Sequence, residues 1–568
     1  MDMSVECDVL VVGSGAGGLA TAVAAALHGL DVIVAEKDRY VGGTTALSGG
    51  FMWIPCAPVS QRAGVVDTLD AAREYLRDQA GNFFNAECVD AFLDNGAAAT
   101  AFFESRTALQ FEAASAFSDY HPDAPGGRSG GRSILAMPYD ARNLGQDLRR
   151  LRPPLPELTL AGMIIGTGPD LRHFVNATRS PVSAAYVAYR LATHVRDLAF
   201  HGRGMRLTNG GALAGRLFRS ALDAGVRIWT DAPVQGLLGE GGVRGGIVDT
   251  PTGTVEVRAR RGVVLAAGGF PHDKARRARL FPHDRHGTGH FSPAPAGNTG
   301  DGLRLGEQRG AALELGYPNA AAWVPVSQVP RKDGSSGVFP HFIDRGKPGL
   351  IAVTAAGKRF VNEANSYHDF MQGLLAAASP GERVRAYLVV DHKFIRRFGL
   401  GFAKPFPLPL GPHIRSGYLR RGATIGELAR NAGIEPLALE ATVAEYNQDA
   451  RNGEDRRFGK GTTAYNRFYG DPAFTPNPCL APIEHAPFYA VEVVFGDLGT
   501  FAGLKTNGDA QVLNQDGRPI PGLYACGNDM ASIMGGNYPG GGITLGPAIT
   551  FAYIAARHLA RAGEPAAR

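Results

Sequence analysis

The first forty residues switch between apolar runs and glycine clusters. Asp8-Val9-Leu10-Val11-Val12 is an unbroken apolar run behind one acidic residue, the pattern of a strand buried on both faces. Gly13, Gly15 and Gly18 follow. The alanine-rich stretch from about Gly17 to His28 reads as a helix, and Val32 to Ala35 as a second strand ending at Glu36. Together they make a βαβ unit. Five glycines, His28 and Asp31 interrupt the apolar stretch from Val11 to Val34, which excludes a membrane span there. Two later apolar runs also end in glycine: Gly262-Val263-Val264-Leu265-Ala266-Ala267-Gly268-Gly269-Phe270 and Gly522-Leu523-Tyr524-Ala525-Cys526-Gly527-Asn528.

Composition narrows the class without naming it. A chain of 568 residues has room for two or more domains. Its 76 glycines are roughly twice the usual share, and they cluster in short motifs, which points to tight turns against a ligand. A net charge of +5 with no dense Lys/Arg stripe argues against nucleic acid. The five cysteines are scattered and show no metal-binding spacing, so no metal is expected and the thiols fit a reducing cytoplasm. A first strand starting by about Asp8 leaves no room for a signal peptide.

The glycine turn carries chemistry. In Gly13-x-Gly15-x-x-Gly18 the glycines permit a tight turn and close backbone approach to a pyrophosphate. The helix start supplies free N–H groups and a positive dipole end. Glu36 can accept hydrogen bonds from ribose hydroxyls.

The segments that follow select the nucleotide. Gly42-Gly43-Thr44-Thr45-Ala46-Leu47-Ser48-Gly49-Gly50 resembles the second cofactor loop of the fumarate reductase-like flavoproteins. The runs at 262–270 and 522–528 resemble that superfamily's strands beside the cofactor, and Gly297-Asn298-Thr299-Gly300-Asp301-Gly302 resembles the loop between them. The resemblance implies an α/β fold: a Rossmann-like, glutathione-reductase-type FAD-binding domain with an inserted α+β capping domain. FAD-binding segments fall at 1–317 and 489–568, and the catalytic or capping domain at 318–488. The implied FAD contacts are Gly13, Gly15, Ala16, Gly17, Gly18, Glu36, Lys37, Gly43, Thr44, Thr45, Ser48, Gly49, Gly50, Val234, Ala267, Gly268, Asn298, Asp301, Gly527, Asn528, Gly542, Leu545 and Gly546. The superfamily branch with covalent flavin attaches it through a histidine in the second loop. No histidine lies between Glu36 and Gly50, so the FAD is expected to be non-covalent.

Members that reduce dicarboxylates clamp them with arginines. One such arginine follows an Arg-Phe-x-Asn-Glu motif, present here as Arg359-Phe360-Val361-Asn362-Glu363, but Tyr367 takes its place. The second position is Tyr538, in Asn537-Tyr538-Pro539-Gly540-Gly541-Gly542-Ile543-Thr544-Leu545-Gly546-Pro547. Phenols at both positions forgo the charge-assisted bonds a dicarboxylate needs and suit a neutral ketone. With Ser118-Asp119-Tyr120-His121-Pro122-Asp123-Ala124-Pro125-Gly126-Gly127, the pattern resembles the 3-ketosteroid Δ1-dehydrogenases. The resemblance implies that Tyr538 and the Gly542 N–H bind the 3-keto oxygen, that Tyr367 is the base, and that Tyr120 supports Tyr367. Tyr139 is an alternative to Tyr120. Tyr367, after Asn362-Glu363-Ala364-Asn365-Ser366, reads as lying on an exposed loop, and His368 beside it as a general base or, equally, as a solvent-facing loop histidine.

Three other functions compete. A Δ4-dehydrogenase shares the same residues, an unsaturated-acid reductase needs an arginine clamp, and a non-catalytic flavin scaffold or sensor needs a lost proton acceptor. No NAD site is evident, so the electron acceptor is expected to be a quinone or another external oxidant. Residues 150–205 are basic and rich in Leu and Tyr. They read either as a helical subdomain or as a contact with the inner face of a membrane, which would make the cytoplasmic protein peripheral.

Overall fold

A computed structural model describes residues 3–379 and 381–561. The apolar runs become the centre of a parallel sheet. Arg227–Trp229, Val32–Ala35, Met3–Val12, Gly253–Leu265 and Pro519–Ala525 lie side by side in that order, each parallel to its neighbour. Val9 to Val12 face Val32 to Ala35 on one side and Gly262 to Leu265 on the other. All of Val9, Leu10 and Val11 are fully buried, which is why the run lacks alternation. The long strand Gly253–Leu265 also pairs antiparallel with Gly245–Thr250, extending the sheet through Val234–Leu237.

The helix Ala16–Leu27 begins at the tip of the first strand. Gly13 makes the turn at φ +102°, and a Cβ there would meet the Ala266 carbonyl oxygen at 2.3 Å. The last helix, Leu545–Arg561, packs its apolar face on the same layer.

A second sheet is antiparallel. Its order is Ser336–Pro340, Ala321–Pro330, Phe488–Thr500, Arg385–Val390, Leu350–Val353, with Arg420–Gly422 beside Phe488. The strand Phe488–Thr500 starts at the expected domain boundary, runs within this second sheet, and ends beside the cofactor groove. The helix Tyr367–Ala376 packs on the strand Ala321–Pro330 and is capped by Ser366, whose hydroxyl accepts the Asp369 N–H at 3.1 Å.

Residues 150–205 form short helical and two-stranded pieces and one long helix, Pro181–His201. No described helix is long and apolar enough to cross a membrane.

Candidate functional site

A cavity of about 430 Å³ runs along the strand tips of the parallel sheet. Gly13, Gly15, Ala16 and Gly17 line it at the first turn, and Glu36 and Lys37 at the second strand. Gly43, Thr44, Thr45 and Ser48 come from the second loop, and Val234, Ala267, Gly268, Asn298 and Asp301 from the far side. Gly527, Asn528 and Leu545 close the end toward the last helix. Gly18, Gly49, Gly50, Gly542 and Gly546 do not line it. Gly18, Gly50 and Gly546 allow close packing instead: a Cβ at Gly18 would lie 1.9 Å from the Gly13 carbonyl oxygen, and one at Gly546 2.2 Å from that of Trp53.

The donors present fit FAD. The Gly15 and Gly17 N–H groups have no acceptor among the described residues and stand at a helix start, as a pyrophosphate requires. Glu36 Oε2 accepts the Ser14 N–H at 2.9 Å and its hydroxyl at 2.5 Å, and Oε1 accepts the Asp38 N–H at 2.9 Å. Oε1 keeps a lone pair for a ribose hydroxyl, whereas both lone pairs of Oε2 are taken by Ser14. Burial holds the Glu36 carboxyl above its ordinary range. Lys37 Nζ donates to Thr299 and Asp301 at 2.8 and 2.9 Å, tying the two walls together. A residue the motifs did not single out, Asp529, accepts the Ala267 and Gly269 N–H groups at 2.5 and 2.9 Å and fixes that glycine loop. Its only sequence signal is its place after Gly527-Asn528.

Beyond the last loop lies a cluster of phenols. Tyr120 and Tyr367 are each 5% exposed and Tyr538 is 3% exposed. The Tyr120 hydroxyl donates to the Tyr367 hydroxyl at 2.9 Å. The Tyr538 ring stacks on Tyr120 with centroids 5.5 Å apart and meets Tyr367 edge-on at 5.0 Å. Burial raises all three acidities' pKa above the ordinary phenol value, Tyr538 to about 12. Phe117, Phe342 and Tyr465 surround the trio. Gly542 sits at φ +98°, and its N–H has no acceptor among the described residues.

Two expectations about exposure are corrected. Tyr367 is buried at the first turn of a helix rather than on an open loop. His368 is 0% exposed, and its Nδ1 accepts the Trp323 N–H at 3.1 Å. Burial pushes its pKa down to about 4, so it is neither a solvent-facing residue nor a ready base. Tyr139 lies apart from the trio, paired with Leu207 and covered by the Arg216 guanidinium. Arg345, also missed by pattern, is 1% exposed and donates to the Glu363 and Asn365 carbonyls at 2.8 and 3.0 Å, holding the loop that leads into Tyr367.

Known proteins supply an independent comparison. The FAD binding domain family matches residues 8–545. A 4-oxocyclohex-2-ene-1-carboxylate 5-dehydrogenase of Sinomonas cyclohexanicum is 42% identical, covering 98% of this chain and 94% of its own. A 3-oxosteroid 1-dehydrogenase of Mycobacterium tuberculosis is 38% identical, covering 98% of both chains. The crystal structure of 3-ketosteroid delta1-dehydrogenase from Sterolibacterium denitrificans with 1,4-androstadiene-3,17-dione superposes with a TM-score of 0.90 at 35% identity, over 98% of this chain and 100% of that one. The chain therefore belongs to the FAD binding domain family, within the fumarate reductase-like flavoproteins, and is an FAD-dependent dehydrogenase.

Proposed function

We propose that this enzyme introduces the carbon 1–2 double bond into the ketone ring of a 3-ketosteroid, using non-covalently held FAD. The observation that carries the proposal is the Tyr120–Tyr367 hydroxyl bond with Tyr538 packed against both rings. A ring carbon releases hydride readily only when negative charge develops beside it, and that charge needs a polarised carbonyl. FAD bound in the groove supplies the two-electron acceptor. The chain supplies the rest. The Tyr538 hydroxyl and the free Gly542 N–H bind the keto oxygen and stabilise enolate character as a proton leaves the adjacent carbon. Tyr367 takes that proton, and the hydroxyl of Tyr120, which donates to it, holds it in position. The aromatic walls exclude water and match an apolar ring. No groove-lining residue is a histidine or cysteine, which supports non-covalent binding.

A second substrate reading has its own support. The relative at 42% identity is named for a 4-oxocyclohexene carboxylate, a single ring bearing a ketone and an acid. The same three phenols serve either ketone. Turnover of the holoenzyme with phenazine methosulfate as acceptor separates the readings. Androst-4-ene-3,17-dione is expected to lose two hydrogens from carbons 1 and 2, with kcat/KM at least tenfold above that for 4-oxocyclohex-2-ene-1-carboxylate. The reverse ratio assigns the small keto acid, and a new double bond elsewhere on the steroid rejects the Δ1 assignment.

We also propose that the Pro181–His201 helix rests on an anionic membrane. Its polarity is inverted: Ser183, Arg190, His194 and Asp197 are buried, while Val182, Tyr189, Val195 and Phe200 are 63–78% exposed. The polar face is used up internally, with Tyr186 donating to Asp170 at 2.7 Å, Arg190 paired to the same carboxylate, and Asp197 accepting the Met205 N–H at 3.0 Å. Within residues 150–205 the exposed charged side chains, Arg172, Arg179 and Arg196, are all basic, while Glu157, Asp170 and Asp197 are buried. That placement would bring the enzyme to a membrane quinone and to lipid-dissolved substrate.

A further inference from the structure

The three tyrosines come from three distant segments, yet a near neighbour of each belongs to one hydrogen-bonded network. Asn537 precedes Tyr538, His121 follows Tyr120, and Asp369 lies two residues after Tyr367. Gln79, at the end of the helix Leu69–Ala80, joins them.

The donors and acceptors can be assigned in sequence. Asn537 Oδ1 accepts the Tyr538 N–H at 2.8 Å, so Asn537 Nδ2 is the donor to the Gln79 carbonyl and to Gln79 Oε1, both at 3.2 Å. Gln79 Nε2 donates to Asp78 at 2.8 Å, which fixes that amide the same way. Gln79 Oε1 is therefore an acceptor, and His121 Nδ1, bonded to it, must carry a proton. His121 Nε2 faces Asp369 Oδ2 at 2.9 Å and must carry one too. The imidazole is doubly protonated, an imidazolium held by the Asp369 carboxylate, with Asp78 and Asp119 as the further charges near it. Main-chain ties run alongside. Tyr75 donates to the Pro539 carbonyl at 2.6 Å and accepts the His121 N–H at 3.2 Å, and the Tyr120 N–H donates to the same Pro539 carbonyl at 2.8 Å.

We propose that His121, Asp369, Gln79 and Asn537 are positioning residues: one network that locks the Tyr120, Tyr367 and Tyr538 hydroxyls in register between the two sheets. The His121–Asp369 pair is the member that crosses from the Tyr120 loop to the Tyr367 helix. It fixes the two segments whose hydroxyls touch at 2.9 Å. The pair lies within two residues of both phenols, so a shift of about 1 Å there carries straight to the hydroxyls, and such shifts are expensive for proton transfer. This inference rests on the ketone-dehydrogenase reading for its rate consequence, but not for its geometry.

The test uses the FAD-loaded variants His121→Gln and Asp369→Asn. Anaerobic stopped-flow reduction by androst-4-ene-3,17-dione should slow at saturation by tenfold or more, with the apparent Kd for the steroid changed less than twofold. Asp369→Glu, which keeps the carboxylate, should recover much of the lost rate. The crystal structure of the His121→Gln holoenzyme should show the Tyr120 and Tyr367 hydroxyls more than 3.5 Å apart. If either variant fails to fold, Gln79→Met, which removes the shared acceptor, should show the same loss. A reduction rate within twofold of wild type, or hydroxyls still in contact at 2.9 Å, overturns the proposal. Wild-type enzyme that no cyclic ketone reduces defeats the functional reading instead, and the hydroxyl separation still decides the network.

Discussion

At the scale of single residues, the proposed chemistry rests on three buried phenols, Tyr120, Tyr367 and Tyr538. Tyr538, with its pKa pushed up to about 12 by burial, is a hydrogen-bond donor throughout the working range. Tyr538→Phe should lower the rate of flavin reduction by about 10²–10³, the usual cost of one oxyanion donor. Tyr367→Phe removes the proton acceptor and should leave under about one part in 10³ of the rate, measured in the same anaerobic assay. Burial, with the neighbouring phenols, also holds Tyr367 above its ordinary pKa. A base with a raised pKa gains phenolate as pH rises, so the reduction rate should climb steadily from pH 7 to pH 9. A rate that is flat over this range would remove Tyr367 from the base role. Both tyrosines stood out in the sequence as candidates because fixed motifs bracket them. Their burial did not. Asn362-Glu363-Ala364-Asn365-Ser366 reads as an open loop, and contacts from other segments, Tyr120, Phe342 and Tyr538, bury Tyr367 after it.

At the scale of elements, glycine and caps do the placing. The turn Gly13 to Gly18, the helix after it and the strand Val32–Ala35 could be read almost residue by residue, because apolar runs and glycine spacing are local signals. Gly542 is different. Its φ of +98° and the 2.4 Å approach a Cβ would make to the Phe51 carbonyl follow from packing against a strand almost five hundred residues earlier. Gly542→Ala should add roughly 1–3 kcal/mol of backbone strain before any clash. It should therefore lower the melting temperature of the holoenzyme as well as its rate. An unchanged melting temperature would contradict the strained turn. The network of Gln79, His121, Asp369 and Asn537 was invisible in sequence for the same reason: its members are polar residues with no shared spacing, joined only once the two sheets meet.

At the scale of the whole molecule, two sheets of opposite character divide the work. The parallel sheet presents strand tips and unpaired N–H groups to a dinucleotide, and the antiparallel sheet carries the helix that begins at Tyr367. The resemblance in sequence reached this plan because the cofactor loops return at several points along the chain. It could not resolve the segment 150–205, where basic and apolar residues alternate in a way that fits a packed helix or a surface one. The structure shows the polar face turned inward. Val195→Glu with Phe200→Glu should abolish cosedimentation with phosphatidylglycerol vesicles, while wild type binds them and leaves phosphatidylcholine vesicles largely unbound. Equal pelleting of the variant would reject the membrane contact, and a change in oligomeric state instead would assign the face to a second copy.

The most direct test of the central claim is anaerobic addition of androst-4-ene-3,17-dione to the yellow holoenzyme, with its absorbance recorded near the flavin band. The ketone should bleach the wild-type flavin, and bleaching should be slowed a hundredfold or more in Tyr538→Phe. Full-rate bleaching in Tyr538→Phe, or a flavin that ignores ketones and, once reduced, is reoxidised only by fumarate-like acids, would contradict that claim.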